Sequence, residues 1–400
     1  MKRVIWIVLD GVGAGELPDA SAYGDQGSNT LGNLSRSFVK KTGSKLHLPN
    51  LEAWGIGNIT SMEGVAPQAA GKGFGAYGKA AELSRGKDTT SGHWEMAGLV
   101  VDHAFATFPQ GFPKEWVDQW CQENNLPGVL GNKTASGTEI IDELGEEHVR
   151  TGKPILYTSA DSVWQVAAHE EAFGLDRLYK ICKSARKLCD EKGIGRVIAR
   201  PFIGNPSKGI PFKRTYNRKD LSQVPFGKTI LPLLEESGVK TLGIGKISSI
   251  FAGQGVADNI DTAGNTDGLK VLKEQMTQKK NGLIYCNLID FDMLFGHRRD
   301  VVGFGKCLEE FDASIPDFKK LMNPDDLMVL TADHGNDPTY RGTDHTREYV
   351  PILAYSPSFQ HKGAQEIGAR SSFADIGATI HEALLKKAPG AGKSFLGSLT

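Results

Sequence analysis

Residues 4–10, VIWIVLD, are six apolar residues in a row that end on one aspartate. Residues 283–292, LIYCNLIDFD, and residues 327–334, LMVLTADH, repeat the pattern of an apolar run followed by Asp or His. Continuous apolar runs, unlike alternating ones, are typical of strands that are buried on both faces, as in a parallel sheet. Residues 241–244 and 349–355 are two further candidates. These runs therefore predict a buried, mostly parallel sheet.

Helical patterns separate the predicted strands. They cover residues 229–237, 268–278, 306–322 and 373–387. Strands that alternate with helices predict an α/β fold, with a central mostly parallel sheet flanked by helices. The functional site of such a fold lies beyond the carboxyl ends of its strands, which is where the Asp and His residues fall.

The middle of the chain has a different character. From about residue 103 to 218 no predicted strand ends in an Asp-His pair. Helical patterns at 114–123 and 175–191 mix with strand-like runs at 154–159 and 195–203. We interpret residues 105–219 as a smaller α/β cap domain inserted into a discontinuous core of residues 1–104 and 220–400. The alternative is one continuous large domain.

The composition excludes several classes of protein. The chain has 400 residues, with 46 Lys plus Arg against 47 Asp plus Glu and a net charge of −1. Proteins that bind nucleic acid or membrane surfaces usually carry a basic excess, so we expect neither partner. Five cysteines without a zinc-motif spacing indicate reduced thiols. No apolar run reaches the length of a signal peptide or of a membrane span. We expect a soluble cytoplasmic monomer.

Six carboxylate and imidazole side chains form three clusters after predicted strands and are candidate metal ligands. They are Asp10, Asp292, His297, Asp333, His334 and His345. Mixed carboxylate and imidazole ligands suit Mn²⁺ or Zn²⁺ better than Mg²⁺, and six are about enough for two ions bridged by a reacting oxygen. Taken singly, each is more often a helix cap or a hydrogen-bonded polar group. The neighbouring Asp290 and Asp344 either orient imidazoles or face solvent.

A second candidate region is residues 84–95, SRGKDTTSGHWE, where three hydroxyls follow a Lys-Asp pair. Backbone N–H groups at a helix start hold anions, and a hydroxyl there beside metal ions can be ionised. One of these hydroxyls would then act as a nucleophile or carry a phosphate group. A run of helix N-cap residues explains it equally well. The residues alone do not choose among Thr89, Thr90 and Ser91.

A third set of residues has the chemistry to bind a sugar phosphate. Lys246 follows the strand at 241–244, while Arg200 and Arg214 lie in the middle region. The arginine fork and the lysine charge both suit phosphate oxygens, although solvated surface charge is the simpler account of any one of them. Asp161 follows a predicted strand and either accepts from sugar hydroxyls or caps the next helix.

Several of these motifs together resemble the alkaline phosphatase superfamily. They are Asp10 after its strand, Lys87-Asp88-Thr89, residues 292–297, Asp333-His334 and the TDHTRE of residues 343–348. More narrowly, the chain resembles the prokaryotic phosphopentomutase family nearly end to end. The middle region carries motifs similar to that family's cap: GNK at 131–133, ASGTEI at 135–140, YTSADS at 157–162 and ARPF at 199–202.

The resemblance implies a role for each candidate residue. Asp10, Thr89, Asp333 and His334 would surround one Mn²⁺, and Asp292, His297 and His345 would hold a second. Thr89, the first threonine after Lys-Asp, would be the residue that carries the phosphoryl group. Asp161, Arg200, Arg214 and Lys246 would bind the pentose phosphate.

The implied reaction is an isomerisation of ribose 1-phosphate and ribose 5-phosphate, and of the 2-deoxyribose pair, through a pentose 1,5-bisphosphate. Glucose 1,6-bisphosphate or a pentose bisphosphate would act as the primer that charges Thr89. Two alternatives lie within the superfamily, namely a cofactor-independent phosphoglycerate mutase and a metal-dependent phosphohydrolase. A third is a non-catalytic sugar-phosphate-binding protein.

Overall fold

The structure is a computed structural model that describes residues 1–69, 71–103, 105–159, 162–387 and 389–399, without the side chains of 360–362. The chain divides into two compact units. Unit 1 comprises Met1–Ala104 and Pro225–Thr400, and unit 2 comprises Phe105–Val224. The predicted cap, residues 105–219, falls within unit 2, and its action as a cap stays a prediction.

The strands of the described residues are, in chain order, β1 (Arg3–Leu9), β2 (Ala76–Ala80), β3 (Leu130–Thr134), β4 (Ile155–Thr158), β5 (Val163–His169), β6 (Arg196–Asn205), β7 (Ile210–Arg214), β8 (Lys219–Ser222), β9 (Thr241–Ile244), β10 (Asp258–Ile260), β11 (Gly282–Leu288), β12 (Asp326–Thr331), β13 (Val350–Tyr355) and β14 (Gln365–Arg370).

The α-helices are α1 (Thr30–Thr42), α2 (Pro49–Trp54), α3 (Ile56–Ile59), α4 (Thr89–Met96), α5 (Lys114–Glu123), α6 (Glu139–Thr151), α7 (Leu175–Glu191), α8 (Ile230–Glu236), α9 (Ile247–Ile250), α10 (Asn265–Gln278), α11 (Val301–Leu321) and α12 (Ala374–Leu385). Two π-helical turns cover Glu170–Gly174 and Phe291–Gly296. Short 3-10 turns cover Ala20–Tyr23, Pro206–Lys208, Pro357–Lys362 and Leu396–Ser398.

Unit 1 is built on an eight-stranded sheet of order β10-β9-β11-β1-β12-β13-β2-β14. Neighbouring strands are parallel from β10 to β12 and again between β2 and β14. β13 is antiparallel to both of its neighbours. The prediction of an α/β core with a mostly parallel sheet is confirmed, with β13 as the exception among the predicted strands.

The three central strands explain why the apolar runs are continuous. Every residue of β1, β11 and β12 is buried, because helices such as α10 and α12 pack on the sheet. Trp6 of β1 stacks on Tyr285 of β11 with ring centroids 3.9 Å apart, which fills the space between neighbouring strands on one face. A strand with both faces covered has no position for a solvated polar residue.

Unit 2 contains a second, smaller sheet of order β3-β4-β5-β6-β7, with β8 paired to β6. Its parallel pairs are β3 with β4 and β5 with β6, and its other pairs are antiparallel. The side chains of β5 alternate between two apolar clusters. Trp164 and Val166 pack with residues of α5 and α7, and Ala167 packs with residues of α6. Helices therefore cover both faces of this sheet as well.

No helix of the described residues combines the length and the apolar character that a membrane crossing requires.

Candidate metal centre

The carboxyl edge of the unit 1 sheet brings together side chains that are far apart in sequence. The register pairs Leu9 with Leu288 and Val8 with Thr331, so the residues after β1, β11 and β12 meet at one edge. Asp10 comes directly after β1, Asp333 follows the end of β12 by two residues, and both are buried. The amide N of Gly11 donates to Asp333 Oδ1 at 3.1 Å, which ties the two strand ends to each other.

The π-helical turn after β11 places a third carboxylate and an imidazole at this edge. The amide N of His297 donates to the carbonyl O of Asp292 at 3.0 Å, a bond that spans five residues as in a π-helix. The wider turn brings side chains five positions apart to the same side. His297 Nε2 consequently lies 3.2 Å from Asp292 Oδ2.

Two groups of side chains have the geometry to hold metal ions. The first ligand group is Asp10, Asp292 and His334, and the second ligand group is Asp292, His297 and His345. Within each group the candidate ligand atoms all lie within 4.8 Å of one another. Asp292 belongs to both groups, since its Oδ1 is 3.2 Å from His345 Nε2 while its Oδ2 faces His297. One carboxylate therefore links the two groups.

Backbone carbonyls set the orientation of all three imidazoles. His297 Nδ1 donates to the carbonyl O of Thr343 at 2.6 Å and His345 Nδ1 donates to that of Lys87 at 2.9 Å. His334 Nδ1 lies 3.1 Å from the carbonyl O of Gly335. A carbonyl only accepts, so each Nδ1 carries a proton and each neutral ring presents the Nε2 lone pair to the ligand groups.

Two imidazole nitrogens and two carboxylate oxygens at this edge are arranged as ligands of a cation would be. His345 Nε2 and His297 Nε2 are 3.2 Å apart, and two lone pairs at this distance repel unless a proton or a cation lies beside them. Asp10 Oδ1 and Asp333 Oδ2 are buried, and their contacts with described residues are long or poorly aligned: His334 Nε2 lies 3.4 Å from each, and His93 Nδ1 lies 3.1 Å from Asp333 Oδ2. A buried carboxylate without well-formed hydrogen bonds carries a large desolvation penalty. Metal ions would satisfy both kinds of atom.

The charges of the site favour cations. Burial raises the pKa of Asp10, and the adjacent Asp333 carboxylate raises it further. Burial opposes ionisation of Asp292 too, but His345 and His297 outweigh it and hold the pKa of that carboxyl well below its usual range. Burial favours neutral His334, yet the carboxylates of Asp333 and Asp10 raise its pKa well above normal. The carboxylates thus attract positive charge to the imidazoles.

The hydroxyl-rich region lies at the start of α4. Asp88 is the N-cap residue, and its Oδ1 accepts from the amide N of Thr90 at 3.0 Å and of Ser91 at 3.1 Å. Ser91 Oγ donates to Asp88 Oδ2 at 2.7 Å, so this hydroxyl belongs to the cap. Thr89 Oγ1 instead lies 3.3 Å from His334 Nε2. Of these two hydroxyls, the one on Thr89 faces the first ligand group.

The two neighbouring aspartates have other partners. Asp290 Oδ2 accepts from the amide N of Asn265 at 2.6 Å, at the start of α10, and Asn265 Oδ1 accepts from the amide N of Asp290 in return. Asp344 is half exposed, and its carboxylate lies 3.0 Å from Lys87 Nζ. These contacts tie Asp290 to the start of α10 and Asp344 to the segment before Thr89.

The predicted sugar-phosphate residues are distributed over both units. Lys246 follows β9 in unit 1 and directly precedes α9. Arg200 is in β6 and Arg214 ends β7, so both belong to unit 2. Arg200 Nη2 donates to Gln165 Oε1 at 2.8 Å. Asp161 lies outside the described residues.

Three residues at the site were not identified from the sequence. Asn336 Nδ2 donates to Asp292 Oδ1 at 2.6 Å, and Asn287 Nδ2 donates to Asp10 Oδ2 at 2.9 Å. Fully buried His93 places Nδ1 2.9 Å from the carbonyl O of Thr89 and 3.1 Å from Asp333 Oδ2. Of these three, only His93 could have been identified from the sequence, because it lies four residues after Thr89 and hence on the same face of α4.

Comparison with known proteins gives the family of this chain. Residues 2–388 match the metalloenzyme superfamily. The chain is 52% identical to the phosphopentomutase of Caldanaerobacter subterraneus subsp. tengcongensis over 400 residues, which is 100% of this chain and 98% of that protein. It is 50% identical to the phosphopentomutase of Symbiobacterium thermophilum over 396 residues, 99% of this chain and 98% of that one. The structure of the PH0037 protein from Pyrococcus horikoshii aligns over 98% of this chain and 99% of its own, at 13% identity and a TM-score of 0.49. About half of the residues of this chain are identical to those of the two phosphopentomutases, along nearly the whole length of each. The chain therefore belongs to the metalloenzyme superfamily and, within it, to the phosphopentomutase family.

Proposed function

We propose that this chain is an isomerase that interconverts α-D-ribose 1-phosphate and D-ribose 5-phosphate, and the corresponding 2-deoxyribose phosphates. The observation that carries the proposal is the identity of 50% and 52% to two phosphopentomutases over nearly the full length. The site supports it independently, because a threonine hydroxyl lies beside the first of two candidate metal-ligand groups at the carboxyl edge of the sheet.

Superfamily membership and the two ligand groups indicate metal ions. We propose two Mn²⁺ ions, since carboxylate oxygens combined with imidazole nitrogens suit this metal. Asp10, Asp333, His334 and Thr89 would hold one ion, His297 and His345 the other, and Asp292 lies within reach of both. When bound, the ions would neutralise charge on the transferring phosphoryl group and favour the ionised form of the Thr89 hydroxyl.

Thr89 would store the phosphoryl group between two half-reactions. In the first, the free hydroxyl of the sugar phosphate attacks phosphothreonine, so the bond from phosphorus to Thr89 Oγ1 breaks as the bond to the sugar oxygen forms. The proton of the sugar hydroxyl ends on Thr89 Oγ1, and the product is a pentose 1,5-bisphosphate. In the second, Oγ1 attacks the other phosphate, and the released sugar oxygen takes the proton. Each cycle restores phosphothreonine.

Four basic or acidic side chains would hold the pentose phosphate. Lys246 lies at the same carboxyl edge as the ligand groups because it follows β9. Arg200 and Arg214 have forked donors that match phosphate oxygens, and Asp161 has the acceptors for sugar hydroxyls. Gln165 Oε1 accepts from Arg200 Nη2 at 2.8 Å, which orients the guanidinium of Arg200.

We also propose that a bisphosphate, glucose 1,6-bisphosphate or a pentose 1,5-bisphosphate, charges Thr89 before the first turnover.

All five cysteines are buried and free, and burial raises the pKa of the Cys189, Cys286 and Cys307 thiols to about 12. Thiols held in this form are typical of a reducing compartment, so we propose a cytoplasmic location. The monomeric state stays a prediction.

A coupled assay on ribose 1-phosphate with added Mn²⁺ tests the function. We expect Thr89→Ala to abolish ribose 5-phosphate formation, because no other group can store the phosphoryl between half-reactions. Thr90→Ala is the matched control and should keep most of the activity. After treatment with glucose 1,6-bisphosphate, mass spectrometry should find one phosphate on Thr89.

Other outcomes would select another function. Phosphate on Thr90 or Ser91, or none in a fully active enzyme, contradicts the mechanism. Release of inorganic phosphate without isomerisation indicates a phosphohydrolase, and turnover of phosphoglycerates indicates a phosphoglycerate mutase. Binding of ribose 5-phosphate without turnover indicates a non-catalytic protein.

A further inference from the structure

The segment that leads from β2 to Thr89, residues 81–88, contains neither helix nor strand. The backbone N–H and C=O groups of such a segment need partners outside regular structure where they are buried. The carboxylate of Glu95 in α4 supplies the acceptors. It accepts from the amide N of Leu83 at 3.0 Å and of Ser84 at 2.6 Å.

The guanidinium of Arg347 supplies the donors to the same segment. Its Nη1 donates to the carbonyl O of Ser84 at 2.7 Å and of Gly86 at 2.9 Å. Its Nη2 donates to the carbonyl O of Glu82 at 3.0 Å. Residues 82, 84 and 86 are the buried positions of the segment, so one side chain binds the carbonyl of each of them.

The charge of Arg347 is compensated on both sides. Its side chain is only 3% exposed, and Nη1 donates to the buried carboxylate of Glu82 at 2.8 Å. Nη2 lies 3.1 Å from Asp19 Oδ2. A buried arginine with two carboxylates and three carbonyls uses the full planar fork, a geometry that lysine cannot reproduce.

Arg347 is two residues after His345, and the same two segments meet at a second point. His345 Nδ1 donates to the carbonyl O of Lys87. Lys87 Nζ bridges Asp344 at 3.0 Å and Asp25 at 2.9 Å. The amide N of Arg347 donates to the same Asp25 oxygen at 2.9 Å. The segment before Thr89 is therefore fixed to the segment that carries His345.

We propose that Arg347 is a positioning residue for phosphoryl transfer. It holds residues 81–88 against residues 344–347, and in this way it sets the position of Thr89 Oγ1 relative to the ligand groups. The inference rests on the proposed function, in which Thr89 is the nucleophile. A displacement of about 1 Å in a reacting group costs on the order of 100-fold in rate, so a looser segment slows transfer without changing the residues that bind the substrate.

Arg3 is a matched control for a buried arginine without this role. Its guanidinium is also buried and paired with a carboxylate, that of Asp326. It donates to three carbonyls as well, those of Met276, Lys279 and Leu321. Arg3 begins β1, so it lies at the opposite, amino edge of the sheet from the ligand groups. Arg3→Lys therefore removes a buried, fully paired guanidinium, as Arg347→Lys does, but at a position far from Thr89.

The experiment compares Arg347→Lys with Arg3→Lys in two readouts. In steady-state kinetics on ribose 1-phosphate we expect Arg347→Lys to lower kcat on the order of 100-fold with little change in KM, while Arg3→Lys lowers thermal stability and keeps kcat. In hydrogen exchange we expect faster exchange of the amides of residues 82–88 in Arg347→Lys alone. Equal kcat values for the two variants, or equal exchange of these amides, would overturn the proposal.

Failure of the proposed function gives a different pattern. If the wild-type chain does not convert ribose 1-phosphate, the function fails, and hydrogen exchange still decides whether Arg347 fixes the segment. If Arg347→Lys does not fold, Glu82→Gln replaces it, because this variant removes one carboxylate partner at nearly unchanged volume. In Glu82→Gln, a lower kcat at unchanged KM supports the positioning role, and faster exchange of the amides of residues 82–88 with an unchanged kcat rejects it.

Discussion

Asp292→Asn should weaken both metal sites at once. The carboxylate lies in both ligand groups, with Oδ1 3.2 Å from His345 Nε2 and Oδ2 3.2 Å from His297 Nε2. Asparagine keeps the volume of the side chain but removes the negative charge, and its amide nitrogen has no lone pair for a cation. A substitution at a residue of only one group should affect only one site. His297→Ala and Asp10→Asn are the two matched single-site variants.

The expected magnitude follows from ligand linkage. An ion that binds only the folded chain stabilises it by about 2.7 kcal/mol at a concentration 100 times its Kd. In the wild-type chain we expect two such increments in the free energy of unfolding when Mn²⁺ is added. His297→Ala should lose the increment of the second ligand group and Asp10→Asn that of the first. Asp292→Asn should lose most of both.

Urea denaturation with and without Mn²⁺ measures the increments, and each variant is compared with its own metal-free form. Elemental analysis of the same samples gives the number of ions bound. We expect about two ions for the wild-type chain, fewer for either single-site variant and the fewest for Asp292→Asn. Two fully occupied sites in Asp292→Asn, or a loss no larger than that of His297→Ala, would refute the shared-ligand reasoning.

Three further predictions concern residues around the site. Gly92→Ala should destabilise the chain and lower activity, because the added Cβ would lie 1.9 Å from the carbonyl O of Asp333. Helix propensity alone predicts the opposite, so a more stable variant in urea denaturation would contradict this prediction. Ser91→Ala should cost about 1 kcal/mol of stability, since it removes the 2.7 Å bond to Asp88, and an activity loss comparable to that of Thr89→Ala would contradict its structural role. Burial raises the pKa of Glu348 from 4.5 to about 7, so the native chain binds this proton more tightly than the unfolded chain does. The free energy of unfolding should therefore fall by about 3 kcal/mol as the pH rises through this range, and Glu348→Gln should flatten that slope; identical slopes in urea denaturation would contradict it.

The central strands were predictable because burial on both faces leaves a continuous apolar run. β1, β11 and β12 all show this pattern. Strands near the edge do not. β2, with the sequence AYGKA, alternates buried and half-buried residues, and β14 is similarly mixed. The antiparallel direction of β13 was not predictable either, because a strand buried on both faces has the same continuous apolar sequence pattern in either orientation.

Asp10, Asp292 and Asp333 follow the ends of predicted strands, which placed them at one edge of the sheet, but the linking role of Asp292 did not follow from the sequence. Residues 292 and 297 are five apart, and only the π-helical turn brings them to one side. The different surroundings of the Thr89 and Ser91 hydroxyls also needed coordinates. Asp88 caps α4 and binds the Ser91 hydroxyl, whereas the sequence shows only that several residues there are good caps.

The orientation of the imidazoles is the part of the site that sequence hides most completely. His297, His334 and His345 each face a backbone carbonyl through Nδ1, and every residue type has that carbonyl. No side-chain motif can therefore reveal the partner. The same reasoning makes these tautomers insensitive to the side chains of Thr343 and Lys87, since a substitution there leaves the accepting oxygen in place. What must be conserved for the imidazoles to present Nε2 is the path of the backbone, and contacts such as those of Arg347 with residues 82–86 fix that path next to Lys87.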